Sequence, residues 1–438
     1  MGTILSIALL TLCIVEAFRD LKRSLSFFLL ALLFAPYIII GSLYIRIELP
    51  LTPIYLGILL ARREFSVIRI PSIAWPLILL WGYTLALTLF SAIVGTAVSP
   101  SWFNVYAYIK PVFLILLFAN TDFSESDLAR LLRWFAASAI PLALLAAGQT
   151  FGVQAATDIT MNAYMSPGRL VVERLVNEIG FILRAVSVFE SPSYAATYFL
   201  ATLATAVYLL FELRGQQAAK RAFLLPLIAL FASFLGGVVT LSATFVAGIG
   251  LILFMLFLRL EWRNKVRAVA ISAAFGAIII GYLMFLGKDE EYASIANNIT
   301  YQARRVVTLE LFETRYAGNT GYLNKTMTAI GDSPLIGYGW MRKPGIFIGD
   351  SMYVVLLYQS GIIGLALFLF WLLQAYRMVA ATRPLREILV FWLFVMLISG
   401  MGSPSFFIPR LNDWWWALCG IGASLSASSV LNDQRNLP

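Results

Sequence analysis

Histidine is absent from the 438 residues, and charged side chains make up only 13% of them. The first absence removes the commonest general base and the commonest transition-metal ligand. Any chemistry must therefore run on carboxylates, Lys, Arg, Ser, Thr, Tyr or the backbone. The second is about half the charged fraction of a soluble domain, roughly a quarter, and leaves too little polar surface to cover a soluble fold. The two cysteines, Cys13 and Cys419, lie far apart inside apolar runs and read as buried thiols, silent about redox compartment. No 20–50-residue repeat, low-complexity tract or inverted pair of interrupted spans is visible. No basic stretch precedes the first apolar run, which argues for a retained span rather than a cleaved signal peptide.

What is present is hydrophobic sequence: 60% of the residues and a mean hydropathy of +0.84. The expected fold is an all-α polytopic membrane protein, one transmembrane domain over residues 1–438. Runs near the ~20 residues needed to cross a bilayer fall at 3–17, 25–45, 51–62, 74–96, 104–121, 131–150, 192–212, 222–239, 241–258, 268–286, 351–375, 386–402 and 414–430. That is about 12–13 helices. The net charge of +9 sits in short clusters between these runs, a pattern of membrane orientation and not of a nucleic-acid surface. Arg19/Lys22/Arg23, Arg62/Arg63/Arg69, Arg130/Arg133, Arg214/Lys220/Arg221, Arg259/Arg263/Lys265/Arg267 and Arg377/Arg383/Arg386 occupy alternate loops. The positive-inside rule makes their side the cytoplasm. The C-terminus is then cytoplasmic, the N-terminus is outside, and two long loops, 151–191 and 287–350, face outward.

Loops of this length are usually functional. In the longer one, Ile295, Ile299, Val306, Val307 and Leu311 recur at helical spacing, which predicts an amphipathic helix on the membrane surface. A turn-rich segment with Gly331, Pro334, Gly337 and Gly339 then leads back into the bilayer. Arg184 precedes the span at 192, Arg304 and Arg305 ride on the amphipathic helix, and Arg315 ends it. Arginine keeps its charge when partly buried and grips phosphate with a planar fork, so these residues are candidates to clamp a lipid-linked pyrophosphate. Headgroup contacts, or ion pairs with Glu310 and Glu313, are the alternative. Asp350 enters the outer boundary of the span that follows it, where a carboxylate is costly and is by default a functional candidate. It could take a proton from a hydroxyl, or it could simply cap the helix. Glu190 and Asp332 are weaker carboxylate candidates, and Lys110 is expected to snorkel outward from its span.

Three motifs then stand in order. The first is Arg184, Phe189, Pro192 and Ala196 in the pattern R-x-x-G-x-F-x-x-P-x-x-x-A, with Ser187 where glycine is usual. The second is Arg315 followed by Pro334-Leu335-Ile336-Gly337-Tyr338-Gly339. The third is Asp350-Ser351-Met352-Tyr353, then Leu356 and Gly361-Ile362-Ile363-Gly364. In their order, spacing and sidedness they resemble the O-antigen polymerase and O-antigen ligase superfamily of bacterial cell envelopes, over most of the chain after the first span. The segment Thr240 to Phe245 departs from the family, whose members often carry Ser-Arg there, and this weakens any role for Ser242.

The resemblance implies a GT-C-like, inverting glycosyltransferase of the bacterial inner membrane. It would need no metal or other cofactor and would draw sugars from an undecaprenyl-pyrophosphate-linked oligosaccharide. Arg184 and Arg315 would bind the pyrophosphate leaving group. Arg304, Arg305, Glu190 and Tyr353 would line the substrate site, and Asp350 would help activate the acceptor hydroxyl, all on the periplasmic face. Ligases typically have histidine where Asp350 stands, so the expected activity is polymerisation of repeat units into a surface polysaccharide, with a flippase and a chain-length regulator as possible partners. A ligase acting on lipid A core or protein is the alternative within the class. A lipid-linked sugar flippase is the alternative outside it, disfavoured because mid-bilayer positions look nearly free of charge while the outward loops are long and basic.

Overall fold

The computed structural model describes residues 2–41, 43–62, 68–94, 102–164, 184–217, 219–259, 324–341, 346, 351–381, 383–401 and 410–435, with Asn297, Thr300, Tyr301, Arg304 and Thr308. These residues are almost entirely helical. Two compact units are formed, one from residues 1–135 and 315–438, the other from 136–314.

The first unit begins with α1 (Gly2–Arg19) and α2 (Leu21–Phe34), which meet at Asp20. The Asp20 carboxylate caps α2 by accepting from the Arg23 N–H at 3.1 Å. The expected span at 25–45 is not one helix. α2 stops at Phe34, and Ile38–Ile40 (β1) and Leu43–Ile45 (β2) pair as an antiparallel hairpin. Pro36 forces the preceding residue out of the helical region, and Ala35 is extended accordingly. The β-branched Ile38-Ile39-Ile40 then favours a strand, and Gly41 at φ +60 supplies the turn.

The chain continues through α3 (Glu48–Arg62), α4 (Trp75–Val94), α5 (Trp102–Ala119) and the start of α6 (Glu125–Thr150). Basic groups gather at one end of this unit. The Arg62 guanidinium donates to Ala17 O at 2.8 Å and Phe18 O at 2.7 Å, Lys22 pairs with Asp127 at 2.8 Å, and the Asn120 carboxamide bonds both backbone groups of Arg69. After the second unit the chain returns through α11 (Asn324–Asp332), α12 (Met352–Ala381), α13 (Arg383–Ser399) and α14 (Leu411–Arg435), in which α14 lies along α5 and α12 along α4. Gly420 permits the first of these approaches, since a Cβ there would meet Ile115 O at 2.7 Å. The Phe135 ring sits against Trp392 and Trp414, 4.7 and 4.8 Å away between centroids.

The second unit holds the rest of α6, then α7 (Gln154–Tyr164), α8 (Pro192–Gly215), α9 (Leu224–Val239) and α10 (Ala243–Arg259). α8 is its centre. Its alanines and threonines from Ala195 to Ala206 are buried, and α9 and α10 pack on it through Gly236, which abuts the Phe199 ring, and Gly248, which abuts Leu200. The Ser233 hydroxyl donates to Thr202 at 2.8 Å across the α8–α9 contact, close packing of the kind that holds helices together where no hydrophobic drive exists between them.

Among the described residues six helical segments are long and apolar enough to cross a membrane: Gly2–Arg19, Ser72–Val94, Glu125–Thr150, Pro192–Gly215, Lys220–Val239 and Met352–Met378. Shorter apolar helices cover Ile109–Ala119, Ala243–Phe254 and Ile388–Ser399. The expected span at 268–286 lies outside the described residues.

Candidate functional site

In the second unit Arg184 stands at the start of a non-helical turn that leads to the Ser191 cap and Pro192 of α8. The turn is buried from Ala185 to Phe189, and Ser187 sits in it at φ +53. Glycine tolerates that conformation freely and serine only at a cost. Groups outside the turn hold much of its backbone. The carboxamide oxygen of Gln149, in the last turn of α6, accepts the N–H groups of Val186 at 3.1 Å and Ser187 at 2.9 Å. The Ser187 hydroxyl donates to Leu142 O at 2.9 Å, Thr160 donates to Ser187 O at 2.9 Å, and the Ala185 N–H reaches Val239 O at 3.1 Å. Arg184 is half-buried, and its Nε donates to Thr240 O at 3.3 Å. Thr240 belongs to the tight, buried turn between α9 and α10, where Leu241 has φ +48. Arg184 therefore shares one end of this unit with the α6 terminus and the α9–α10 turn. Arg214 lies at the far end of the 24-residue α8, about 33 Å from Pro192 at 1.5 Å per residue.

In the first unit the second and third motifs close on each other. α12 is broken at Gly361 (φ +59, ψ −162), about 14 Å along the helix from Met352. Two i→i−4 bonds are opened there, and the segment after α11 repairs all four groups. The N–H groups of Ile362 and Ile363 donate to Pro334 O (2.9 Å) and Leu335 O (3.3 Å), while Tyr358 O and Gln359 O accept from the N–H groups of Tyr338 (2.9 Å) and Gly339 (2.7 Å). Irregular backbone inside a membrane bundle survives only with such satisfaction. The glycines are needed for the fit. A Cβ on Gly337 (φ +71) would meet Ser360 N at 2.7 Å, one on Gly339 (φ +69) would meet Thr88 N at 2.6 Å, and one on Gly361 would run into the Leu335 backbone. Thr88 of α4 accepts the Trp340 N–H at 2.9 Å, so the segment is also tied to α4.

The remaining site residues fall as follows. Tyr353, one residue into α12, donates from its hydroxyl to Leu397 O at 2.9 Å, and the adjacent Met352 N–H donates to Gly400 O at 2.8 Å, so the start of α12 is fastened to the end of α13. Glu190 is half-buried in the bend before α8. Arg304 is helical and exposed, as are Asn297, Thr300 and Tyr301, and Thr308 is exposed in a turn. Asp350, Arg305 and Arg315 lie outside the described residues, as do Ile295, Ile299, Val306, Val307 and Leu311 of the expected amphipathic helix. Arg184 and Tyr353 belong to different units.

One constellation went unrecognised in the sequence. Lys110 does not snorkel. It is 8% exposed in the middle of α5, its Nζ lies 2.5 Å from Asp413 Oδ1 of α14 and 3.8 Å from Glu48 Oε1 of α3, and Glu48 in turn lies 3.8 Å from Arg46. Cation and carboxylate alternate along this chain of four, and the two carboxylates are 3% and 0% exposed. A mid-span lysine, an acid opening a short span and an acid before a Trp run were the available signals. Each reads as a boundary residue until the helices are brought together, and the interior of this unit is not free of charge.

No protein-family model, no curated protein and no solved structure matches this chain. What the fold defines is a helical integral membrane protein, with a strained turn opening one buried helix and a broken helix clasped by the segment before it.

Proposed function

We propose that the chain polymerises undecaprenyl-pyrophosphate-linked oligosaccharide repeat units into a surface polysaccharide, as a metal-independent inverting glycosyltransferase of the bacterial inner membrane. The observation that carries this reading is Arg184, half-buried at the end of its unit remote from Arg214 and fixed by a strained turn. Strain of this kind collects where a side chain must be held in place for function. With the basic loops taken as cytoplasmic, that end faces the periplasm. The motif resemblance supplies the substrate class.

On this reading Arg184 and Arg315 stabilise the departing pyrophosphate, already a good leaving group that needs charge stabilisation more than acid help. Asp350 accepts the acceptor hydroxyl's proton. Arg304, Arg305, Glu190 and Tyr353 contact sugar or phosphate. A ligase would use the same groups on a different acceptor. The buried Lys110 network is the observation that favours the flippase alternative, but its charges neutralise one another, which fits a fixed lock better than a moving coupling site. Surface glycan from a deletion strain separates the readings on a gel. Single repeat units capping the acceptor indicate the polymerase, and intact but unattached polymer indicates a ligase.

A further inference from the structure

We infer that Gln149 is a positioning residue for Arg184, an inference that rests on the diphosphate reading above. Gln149 is 2% exposed, and its single carboxamide joins three pieces of the second unit. The oxygen accepts two successive backbone N–H groups, those of Val186 and Ser187, while the Nε2 group donates to the Thr160 hydroxyl of α7 and to Ser187 O. Two consecutive N–H groups converging on one acceptor form a small anion-seeking concavity, here filled by a neutral oxygen from the protein itself.

This arrangement sets the backbone two residues after Arg184. The carbonyls of Val239 and Thr240 set it at Ala185 N and at the guanidinium, and Thr150, next to Gln149, donates to Val239 O at 3.3 Å. The end of α6 thus touches both supports of Arg184. Serine adopts the φ +53 of Ser187 only at a cost. Without the Gln149 acceptor the turn loses two of the bonds that hold it there, and Arg184 loses its fixed origin. A displacement of about 1 Å at a positioned group is enough to reduce function by about 100-fold.

The test is the binding of farnesyl diphosphate to the purified full chain in nanodiscs, for wild type, Arg184→Ala, Gln149→Leu and the double variant, with thermal stability measured on each. Gln149→Asn accompanies them, because it keeps the carboxamide but withdraws it by about one C–C bond, ~1.5 Å. Expected are at least tenfold weaker binding in Arg184→Ala, a similar loss in Gln149→Leu and Gln149→Asn, and no further loss when Gln149→Leu is added to Arg184→Ala. Loss in Arg184→Ala together with wild-type binding in a folded Gln149→Asn overturns the positioning role and leaves the diphosphate reading intact. Equal losses from Gln149→Leu in both backgrounds also overturn it, because a general structural effect does not depend on Arg184. Unchanged binding in Arg184→Ala overturns the diphosphate reading itself.

Discussion

Replacing Lys110 by methionine is the sharpest test of how the first unit is held together. The ammonium stands 2.5 Å from one Asp413 oxygen and 3.8 Å from Glu48. At an effective dielectric of about 20 these separations correspond to roughly 7 and roughly 4 kcal/mol of gross attraction, most of it offset by the desolvation of the ions. The Asp413 contact is close but not aligned as a hydrogen bond, so its attraction is Coulombic. What the substitution exposes is the other side of that balance. Asp413 and Glu48 stay buried, and breaking one partner out of such a pair costs about 3–5 kcal/mol. For the full chain in detergent this corresponds to a fall in apparent Tm of about 3–5 °C. Fluorescence-detected size exclusion after stepwise heating measures it. Lys110→Met combined with Asp413→Asn is expected to lose less than Lys110→Met alone, because the pair is coupled and its losses do not add. A Lys110→Met protein as heat-resistant as wild type, or a double variant no more stable than Lys110→Met alone, would refute the reasoning.

Gly361→Ala places a Cβ against the Leu335 backbone at a φ of +59, at a cost above about 1 kcal/mol. Limited proteolysis is expected to cut within 333–341 faster than in wild type, and an unchanged digestion pattern counts against the clasp. Asp350→Asn is expected to insert at wild-type levels and to be inactive in polymerisation. Wild-type chain lengths would leave Asp350 with a capping role alone.

Hydropathy made most of the helices legible, because apolar run length is itself the physical requirement for a span. The boundary at 240–242 between α9 and α10 is readable in the same way. The hairpin at 38–45 was hidden inside an apolar run, and only Pro36 and Gly41 betray it. Gly337 and Gly339 could be recognised as turn formers, but not as parts of a clasp. Their partners are the carbonyls and amides of a helix that hydropathy reads as continuous. Arg184 was singled out by its place before a span, whereas its fixing by Gln149 depends on α6 ending beside the turn, a tertiary fact with no local signature. Lys110 was misread for a related reason. A lone cation in a span is a snorkelling candidate until α3 and α14 bring it two carboxylates.

The most direct measurement is a gel of the products formed from one undecaprenyl-pyrophosphate-linked repeat unit by the purified chain in nanodiscs, wild type beside Arg184→Ala and Arg315→Ala. A ladder of chain lengths from wild type, with single repeats accumulating in both variants, is the expected result. Ladders of the same length from all three proteins would contradict a diphosphate clamp built on these arginines.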